Sequence, residues 1–496
     1  MKLLCLRLCE HDSSFCFFDG EVTKYIKLER VKGIKHFAYN DLYSWQNDFK
    51  SIFNESVSSL DEVAIIVDPW IYDKPLDEND FLFKQIDYLN LHCPVWRINH
   101  HYAHALSAQI LTDSKSDIDI VLDGFGDFDQ AWTAFKQGEV IEKGSLKKGS
   151  SIGIEMAQAG LSLNIKCENI IDVAGKLMSL QSYGTLSKDF LNYLDGYSIR
   201  DCKKLFDFEN WINFLQNKDV AELSRLDWIK TLHEKSSHLM LDFFKEFTKK
   251  NEKITFTGGV AQNIIWNTKL KNYFQNLTIP PHSLDDGLTL GGMVFLKEKN
   301  SLPKVKFDSF PYIQYDEKPL TYPSKETINE AANILANGFA LGWYQGHGEI
   351  GPRALGNRSV LLDPRLENGK NVINEIKRRE NYRPFGATVL YEFKDEHFDI
   401  EEDPYMLFVS NIKNPSYLKS IAHIDNSCRV QTLKNENLIF RSLLERFNEI
   451  TDCPILLNTS MNLAGKPLVG TIKDAETFFQ TTNLKYLVVG NEILKK

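Results

Sequence analysis

The sequence lacks the cysteine patterns of disulfide-stapled or zinc-ribbon proteins. Its eight cysteines are scattered over 496 residues, and no two form a Cys-x-x-Cys pair. Such usage is typical of free thiols in a reducing compartment. The apolar run at the N-terminus is interrupted at Arg7 and Glu10, so we expect no signal peptide. No window reaches the ~20 apolar residues of a membrane span, and we expect a cytoplasmic protein.

Basic residues are not in excess either, and repeats and low-complexity segments are missing. The net charge of -9 argues against nonspecific nucleic-acid or anionic-membrane binding as the main activity, although a local basic groove stays open. A length of 496 residues suits two or three domains. Several prolines mark residues 301–323 as a linker between a domain at 1–300 and a second at 324–496.

The most informative segment is 341–365, LGWYQGHGEIGPRALGNRSVLLDPR. An apolar strand leads into a glycine-rich loop, where backbone amides can approach a ligand. Arg353, Arg358 and Arg365 follow in the same segment, and guanidinium groups pair well with phosphates and carboxylates. A solvated loop of mixed charge is the plainer alternative. We interpret the segment as a pocket for phosphates or a carboxylate-like group.

A second pattern predicts a metal site. In HHYAHA, His100 and His104 are four residues apart, which places them on one face of a helix. Two imidazoles in this arrangement can bind one transition metal. The strand 118–122 ends at Asp123 in DGFGD, where a carboxylate can supply a third ligand. Structural histidines without a metal are the alternative.

Three further turns follow predicted strands. His11 lies in a polar turn between two strands, where a surface role and a proton-carrying role are equally consistent with the sequence. The strand KITFT runs into Gly258-Gly259 and then a helix, an arrangement that binds phosphate or ribose. Asp285 and Asp286 precede another helix, where one can face the glycine turn and one can cap the helix.

Basic and amide side chains recur toward the C-terminus. Lys377 lies in IKRRENYRPF and Arg429 in RVQT; they favour a polyphosphate ligand, although a charged helix face explains them equally well. The strand at 454–457 continues into Asn458, Thr459 and Ser460, whose amide and hydroxyl groups suit a nucleotide or a small amide.

Taken together and in order, these motifs resemble the O-carbamoyltransferase family of nodulation-factor and antibiotic biosynthesis. The resemblance spans nearly the whole chain. Its carriers are HDSS, HHYAHA, DGFGD, TGGVAQN, the Asp-x-Gly at 285–287, QGHGEIGPRALGNRS, IKRRENYRPF, RVQT, LLNTSMN and GKPLV.

The resemblance implies an α/β protein: a duplicated actin-like (ASKHA) N-terminal domain, then a YrdC-like C-terminal domain. It implies that carbamoyl phosphate and ATP give carbamoyl adenylate, whose carbamoyl group passes to an acceptor hydroxyl. Sugars and other natural products are the usual acceptors. A hydroxymethyl pyrimidine, free or in nucleic acid, stays open, as does a homodimer.

The resemblance also implies roles for particular residues and cofactors. It implies a metal, Fe²⁺ or another divalent transition metal, at His100, His104, Asp123 and Asp285. It implies His11 as the base that deprotonates the acceptor. The adenylate would be cradled by Gly258, Gly259 and Asn263. Carbamoyl phosphate and ATP, with Mg²⁺, would be held by Arg353, Lys377, Arg429, Asn458 and Ser460.

Three positions depart from the family pattern. His347 replaces an arginine, Ala174 replaces an acidic residue, and Met461 replaces an aromatic residue. Two alternative functions fit parts of the sequence. A non-catalytic actin-like nucleotide-binding protein would leave the C-terminal motifs without a role. Threonylcarbamoyl transfer to tRNA would require threonine and bicarbonate, and the acidic balance disfavours tRNA as a ligand.

Overall fold

The computed structural model describes all residues except 9, 68–82, 87–88, 113, 168, 217–223 and 316–321. The described chain forms a mixed α/β fold, which confirms the α/β part of the predicted fold class. It divides into two compact units, one of residues 1–29 and 36–307 and one of residues 30–35 and 308–496. Among these residues, none of the helices combines the length and apolar character needed to cross a bilayer.

The first unit contains two sheets. The strands of the first sheet are β1 (Leu3–Arg7), β2 (Ser14–Phe18), β3 (Thr23–Lys27), β4 (Glu62–Ile66), β5 (Phe83–Ile86) and β6 (Val95–Ile98). The strands of the second are β7 (Ile118–Leu122), β8 (Gln130–Lys136), β9 (Glu139–Ser145), β10 (Ile254–Thr257) and β11 (Leu277–Thr278). The helices up to residue 299 are α1 (Leu28–Lys32), α2 (Trp45–Phe53), α3 (His100–Ser107), α4 (Ile152–Ser162), α5 (Val173–Leu180), α6 (Lys188–Tyr193), α7 (Cys202–Leu205), α8 (Phe208–Gln216), α9 (Arg225–Phe247), α10 (Ile264–Tyr273) and α11 (Leu288–Lys299).

These two sheets share the topology of five strands, and the first sheet has β5 as an additional antiparallel edge strand. The first has the order β3-β2-β1-β4-β6-β5 and the second the order β9-β8-β7-β10-β11. In each, an antiparallel three-strand meander is followed by two parallel strands. β1 therefore corresponds to β7, β4 to β10 and β6 to β11, although the sequence contains no detectable repeat.

The helices that follow the last parallel strands cross between the sheets. α3 follows β6 yet packs against β7, β8 and β10, while α11 follows β11 and packs against β1, β2 and β4. The two helices contact each other at Gly291, where an added Cβ would lie 1.9 Å from the carbonyl oxygen of Ala103. Only a residue without a side chain permits this approach, which brings the start of α11 beside α3.

The second unit is built on one mixed sheet with the order β15-β16-β14-β17-β13-β12-β18-β19. Its strands are β12 (Leu341–Tyr344), β13 (Arg358–Leu362), β14 (Gly386–Leu390), β15 (Val409–Asn411), β16 (Ser427–Leu433), β17 (Ile455–Ser460), β18 (Tyr486–Val489) and β19 (Glu492–Lys495). Its helices are α12 (Lys325–Ala336), α13 (Gly369–Lys377), α14 (Lys394–His397), α15 (Leu438–Thr451) and α16 (Ile472–Thr481).

Apolar side chains of this sheet and of α12, α13, α15 and α16 form one core. The central strands β13, β14 and β17 are almost completely buried. Polar side chains at the ends of these strands are therefore fixed by a rigid support.

Candidate active site

Helix α3 presents the two histidines whose spacing predicted a shared face. Asn99 caps the helix, because its side chain accepts a backbone N–H of the first turn. The rings of His100 and His104 lie 4.9 Å apart between centroids. His101 turns away, with Nδ1 2.8 Å from Thr133 Oγ1. The i, i+4 spacing thus places two imidazoles side by side.

Two carboxylates meet these imidazoles, and together they form what we call the metal-donor cluster: His100, His104, Asp123 and Asp285. Each histidine Nε2 lies 3.1 Å from Asp123 Oδ2, and the distances to Asp285 Oδ1 are 3.3 and 3.4 Å. All four donor atoms lie within 4.8 Å of one another. Two imidazole nitrogens and two carboxylate oxygens are a suitable donor set for a divalent transition metal. The residues therefore fit the expected ion.

The electrostatics of the cluster also favour a cation. Burial alone would lower the pKa of His100, but Asp285 and Asp123 outweigh it and raise that pKa to about 10. Burial alone would raise the pKa of Asp123, but hydrogen bonds from His100 and His104 lower it. The pKa of Asp285 is lowered well below its usual range in the same way. Ionised carboxylates in a buried pocket attract positive charge strongly.

The second oxygen of Asp285 faces two further residues. Oδ2 accepts a hydrogen bond from Arg7 Nη2 at 3.1 Å, and His11 Nε2 lies 3.7 Å from the same atom. Arg7, which also pairs with Glu10 at 3.1 Å, is 1% exposed. No local pattern in the sequence marks Arg7 as a site residue, because it lies within an apolar strand and contacts a residue 278 positions away. Asp285 therefore joins the metal-donor cluster to His11.

A second acidic group lies behind His11. Oxygens of Asp12 and Glu29 and a nitrogen of His36 lie close enough to bind an ion. Lys27 Nζ already lies 3.2 Å from Asp12 and 3.1 Å from Glu29. Because this buried ammonium neutralises the carboxylates, we assign no metal to the group.

The glycine turn after β10 contacts the metal-donor cluster directly. Gly258 has φ +89°, and a Cβ there would lie 2.1 Å from the Leu122 carbonyl oxygen. Gly259 donates its N–H to Asp123 Oδ1 at 3.2 Å. Asn263 caps α10 and its amide lies 3.0 Å from His233 Nε2. The structure therefore brings the two glycines to the cluster, whereas the Asn263 side chain is engaged in local hydrogen bonds.

In the second unit, basic side chains gather into what we call the cationic cluster: Arg353, Lys377, Arg379, Arg383 and Arg429. Burial, then Arg429 and Arg383, lower the pKa of Arg353 well below its usual value. Burial, then Arg379 and Arg383, lower that of Lys377. Such mutual repulsion is relieved when an anion binds. Asp403 offsets it only in part near neutral pH, since burial raises its pKa to about 7.

Lys377 ends α13 and points at the end of β17. Its Nζ donates to Ser460 Oγ at 3.2 Å, to Asn462 Oδ1 at 2.9 Å and to the Ser460 carbonyl oxygen. Ser460 Oγ in turn donates to Asn462 Oδ1 at 2.6 Å. A lysine that is 3% exposed is thus held by neutral oxygens, with no carboxylate among the described residues within 4 Å.

Sheet register aligns two other expected ligands. Gly386 of β14 pairs with Arg429 on one side and with Asn458 on the other, so the three share a face. The Asn458 amide donates to Thr388 Oγ1 at 3.0 Å and to the Ala354 carbonyl at 3.3 Å. Asn458 therefore supports the loop that carries Arg353.

Internal contacts order the glycine-rich loop and hold two of its three arginines. Glu349 Oε1 accepts backbone N–H groups from three loop residues. Arg358 stacks on Tyr344, 3.6 Å from its ring centroid, and donates to loop carbonyls. Arg365 pairs with Asp363 at 2.6 Å. Local acceptors therefore engage Arg358 and Arg365, and an anion pocket in this segment stays a prediction.

Comparison with protein families assigns both units. The model "Carbamoyltransferase N-terminus" matches residues 76–294, and "Carbamoyltransferase C-terminus" matches residues 332–496. The chain belongs to the O-carbamoyltransferase family.

Similar proteins support this assignment. The nodulation protein NolO of Bradyrhizobium diazoefficiens is 30% identical over 80% of this chain and 79% of its own length. NolNO of Sinorhizobium fredii is 30% identical over 80% of this chain, which spans 64% of that protein. The 3'-hydroxymethylcephem-O-carbamoyltransferase of Amycolatopsis lactamdurans is 31% identical over 47% of each chain. Enzymes of this family transfer carbamoyl groups to hydroxyls.

The positions that depart from the family pattern lie in different surroundings. The carbonyl of His347 accepts from the Asn357 amide at 2.8 Å, so its backbone orders the loop. Met461 is completely buried in the core of the second unit. Ala174 lies in the first turn of α5.

Proposed function

We propose that this protein is an ATP-dependent O-carbamoyltransferase with two successive steps. Carbamoyl phosphate is hydrolysed to carbamate and phosphate, and carbamate attacks ATP to give carbamoyl adenylate and pyrophosphate. An acceptor hydroxyl then attacks the carbamoyl carbon, which yields the O-carbamoyl product and AMP. The observation that carries the proposal is the presence of two sites of opposite charge, the cationic cluster and the metal-donor cluster.

The cationic cluster serves the first step. Carbamoyl phosphate and ATP are polyanions, and several guanidinium groups with one ammonium group stabilise the charge that shifts to pyrophosphate. Lys377 lies among the oxygens of Ser460 and Asn462, at hydrogen-bond distances of 2.9–3.2 Å for their side chains. An incoming phosphate oxygen can replace these neutral acceptors. ATP brings Mg²⁺ to this site.

The first unit serves the transfer step. His11 accepts the proton of the acceptor hydroxyl, because its Nε2 faces the metal-donor cluster and its ring is partly exposed. The amides of Gly258 and Gly259 approach the adenylate phosphate, as the turn before a helix does in other nucleotide sites. The cluster would hold Fe²⁺ or another divalent transition metal, which when bound would polarise the phosphate and improve AMP as a leaving group.

We infer further that the first unit has a duplicated actin-like fold. Its two sheets share strand order and strand direction, and the predicted active residues follow corresponding strands. His11 follows β1 as Asp123 follows β7, and α3 follows β6 as α11 follows β11. Ligands of open α/β sheets bind beyond the carboxyl ends of parallel strands, where these residues lie. A YrdC-like fold for the second unit stays a prediction.

For the acceptor we propose a chemical class and not a particular compound. One named relative carbamoylates the hydroxymethyl group of a cephem, so a primary alcohol on a sugar, a heterocycle or a hydroxymethyl pyrimidine is the expected acceptor. A screen with ATP and carbamoyl phosphate tests this class. We expect one alcohol to gain the mass of a single carbamoyl group, and failure of every alcohol in the screen counts against the class.

Pyrophosphate–ATP exchange tests the activation step without an acceptor. Labelled pyrophosphate is expected to enter ATP only when carbamoyl phosphate is present. Exchange that depends on threonine and bicarbonate would instead indicate threonylcarbamoyl chemistry. Absence of exchange under both conditions would refute the proposed function.

A further inference from the structure

Asp12 contacts His11 on the side away from the metal-donor cluster. His11 Nδ1 lies 2.9 Å from Asp12 Oδ2, whereas Nε2 lies 3.7 Å from Asp285 Oδ2. A neutral imidazole that donates its Nδ1–H to a carboxylate carries its lone pair on Nε2. The contact with Asp12 therefore selects the form of His11 whose basic nitrogen faces the cluster.

The carboxylate of Asp12 is itself fixed by other contacts. Lys27 Nζ lies 3.2 Å from Oδ1, and His36 Nδ1 lies 3.2 Å from Oδ2. Lys27 is in turn held by Glu29 at 3.1 Å. Because Asp12 is only 3% exposed, these contacts and not water determine its orientation.

The backbone explains how neighbouring side chains meet. Successive side chains of an extended chain point in opposite directions. Asp12 adopts φ +56°, a left-handed conformation that aspartate tolerates better than most residues. This turn brings the Asp12 carboxylate back to the imidazole of His11.

We propose that Asp12 is a positioning residue for His11 in carbamoyl transfer, an inference that rests on the proposed function. His11 Nε2 accepts the hydroxyl proton as the acceptor oxygen bonds to the carbamoyl carbon. The bond from that carbon to the phosphate oxygen breaks, and AMP leaves with the electron pair. Asp12 keeps Nδ1–H in place during this step and stabilises the imidazolium, which then releases its proton to water.

The form of the His11 ring can be measured without an acceptor. In ¹⁵N-histidine-labelled, zinc-loaded protein, nuclear magnetic resonance reports which ring nitrogen of each histidine carries a proton. The resonances of His11 are those that disappear in His11→Asn. We expect them to show a protonated Nδ1 and an unprotonated Nε2. Asp12→Asn is expected to shift His11 toward the Nε2–H form. A His11 that carries its proton on Nε2 in the wild type, or does not respond to Asp12→Asn, would overturn the proposal.

A double-mutant cycle then tests whether Asp12 acts through His11. The readouts are pyrophosphate–ATP exchange and AMP formation without added alcohol, where water is the acceptor. Asp12→Asn is expected to slow AMP formation on the order of 100-fold while exchange stays at the wild-type rate. In a His11→Asn background, Asp12→Asn should cause no further loss. Equal losses in both backgrounds would indicate a structural role and refute the inference.

His36→Gln is the matched control, because His36 contacts the same carboxylate from another side. We expect AMP formation within about threefold of wild type for this variant. If His36→Gln slows AMP formation as much as Asp12→Asn does, Asp12 only maintains the structure of the loop, and the proposal is overturned. Loss of exchange in the wild type would refute the proposed function instead, and the ring measurement would still decide whether Asp12 holds His11.

Discussion

The metal-donor cluster and the cationic cluster differ in how their buried charges are compensated. In the first, each carboxylate lies within 3.5 Å of a histidine, and Asp285 also pairs with Arg7. In the second, the guanidinium and ammonium groups lower one another's pKa, with Asp403 as a weak counterweight. The first site is therefore organised by its own contacts, whereas the second gains most when a polyanion binds. The following variants test this difference.

The largest effect is expected at Lys377. Lys377→Ala removes the buried ammonium group of the cationic cluster, and pyrophosphate–ATP exchange should fall on the order of 1,000-fold. Lys473→Ala, an exposed lysine of α16, is the control and should exchange at the wild-type rate. Comparable rates in the two variants would remove Lys377 from the activation step.

The metal content of the protein should change only when a residue of the metal-donor cluster is replaced. His104→Ala removes one imidazole donor, and the affinity for a divalent transition metal should drop by about 100-fold or more, as measured by metal analysis after dialysis against a chelator. His92→Ala, on an exposed histidine, should retain the metal. Pyrophosphate–ATP exchange should persist in both. A metal content that His104→Ala leaves unchanged would contradict the assignment.

Arg7→Met tests how far internal pairing stabilises the first site. The variant leaves Asp285 without its guanidinium partner, and the free energy of unfolding of the first unit should fall by about 2 kcal/mol. The loss should be smaller than for an isolated buried pair, because His100 and His104 still face Asp285. Urea unfolding, monitored by footprinting of each unit separately, measures this free energy. Lys204→Met removes an exposed pair with Asp201 and should leave stability unchanged within error. Equal stability of both variants would show that Arg7 does not hold Asp285.

The smallest effect has the opposite sign. Arg353→Gln relieves repulsion in the cationic cluster, so the ligand-free second unit should become more stable by about 1 kcal/mol. The same variant should lose most of the thermal stabilisation that added pyrophosphate gives the wild type. A less stable ligand-free variant would indicate that Arg353 is a structural arginine.

The sequence predicted those elements of the fold that depend on residues close together in the chain. The strand predicted at 118–122 has the bounds of β7, and the spacing of His100 and His104 placed both on one face of α3. The local pattern could not choose between Asp285 and Asp286, because both precede α11, and only the family resemblance favoured Asp285. The fold decides: Asp285 faces the histidines, while Asp286 lies 3.6 Å from Lys27.

Other features depend on contacts that residue type does not encode. Arg7 looked like part of a buried strand, and its partner Asp285 lies 278 positions away in the sequence. Arg358 and Arg365 belong to the segment predicted to bind an anion, yet nearby carbonyls and Asp363 engage them. The matching strand order of the two sheets left no repeat in the sequence, because strand order constrains the side chains only to be buried or exposed.

The contact at Gly291 has a consequence for the evolution of this chain. A single methyl group at that position would meet the Ala103 carbonyl and wedge α11 away from α3. The aspartate that precedes α11 would then move away from the imidazoles on α3, although none of the four donors is altered. The geometry of the metal-donor cluster therefore depends on a glycine that is not itself a ligand.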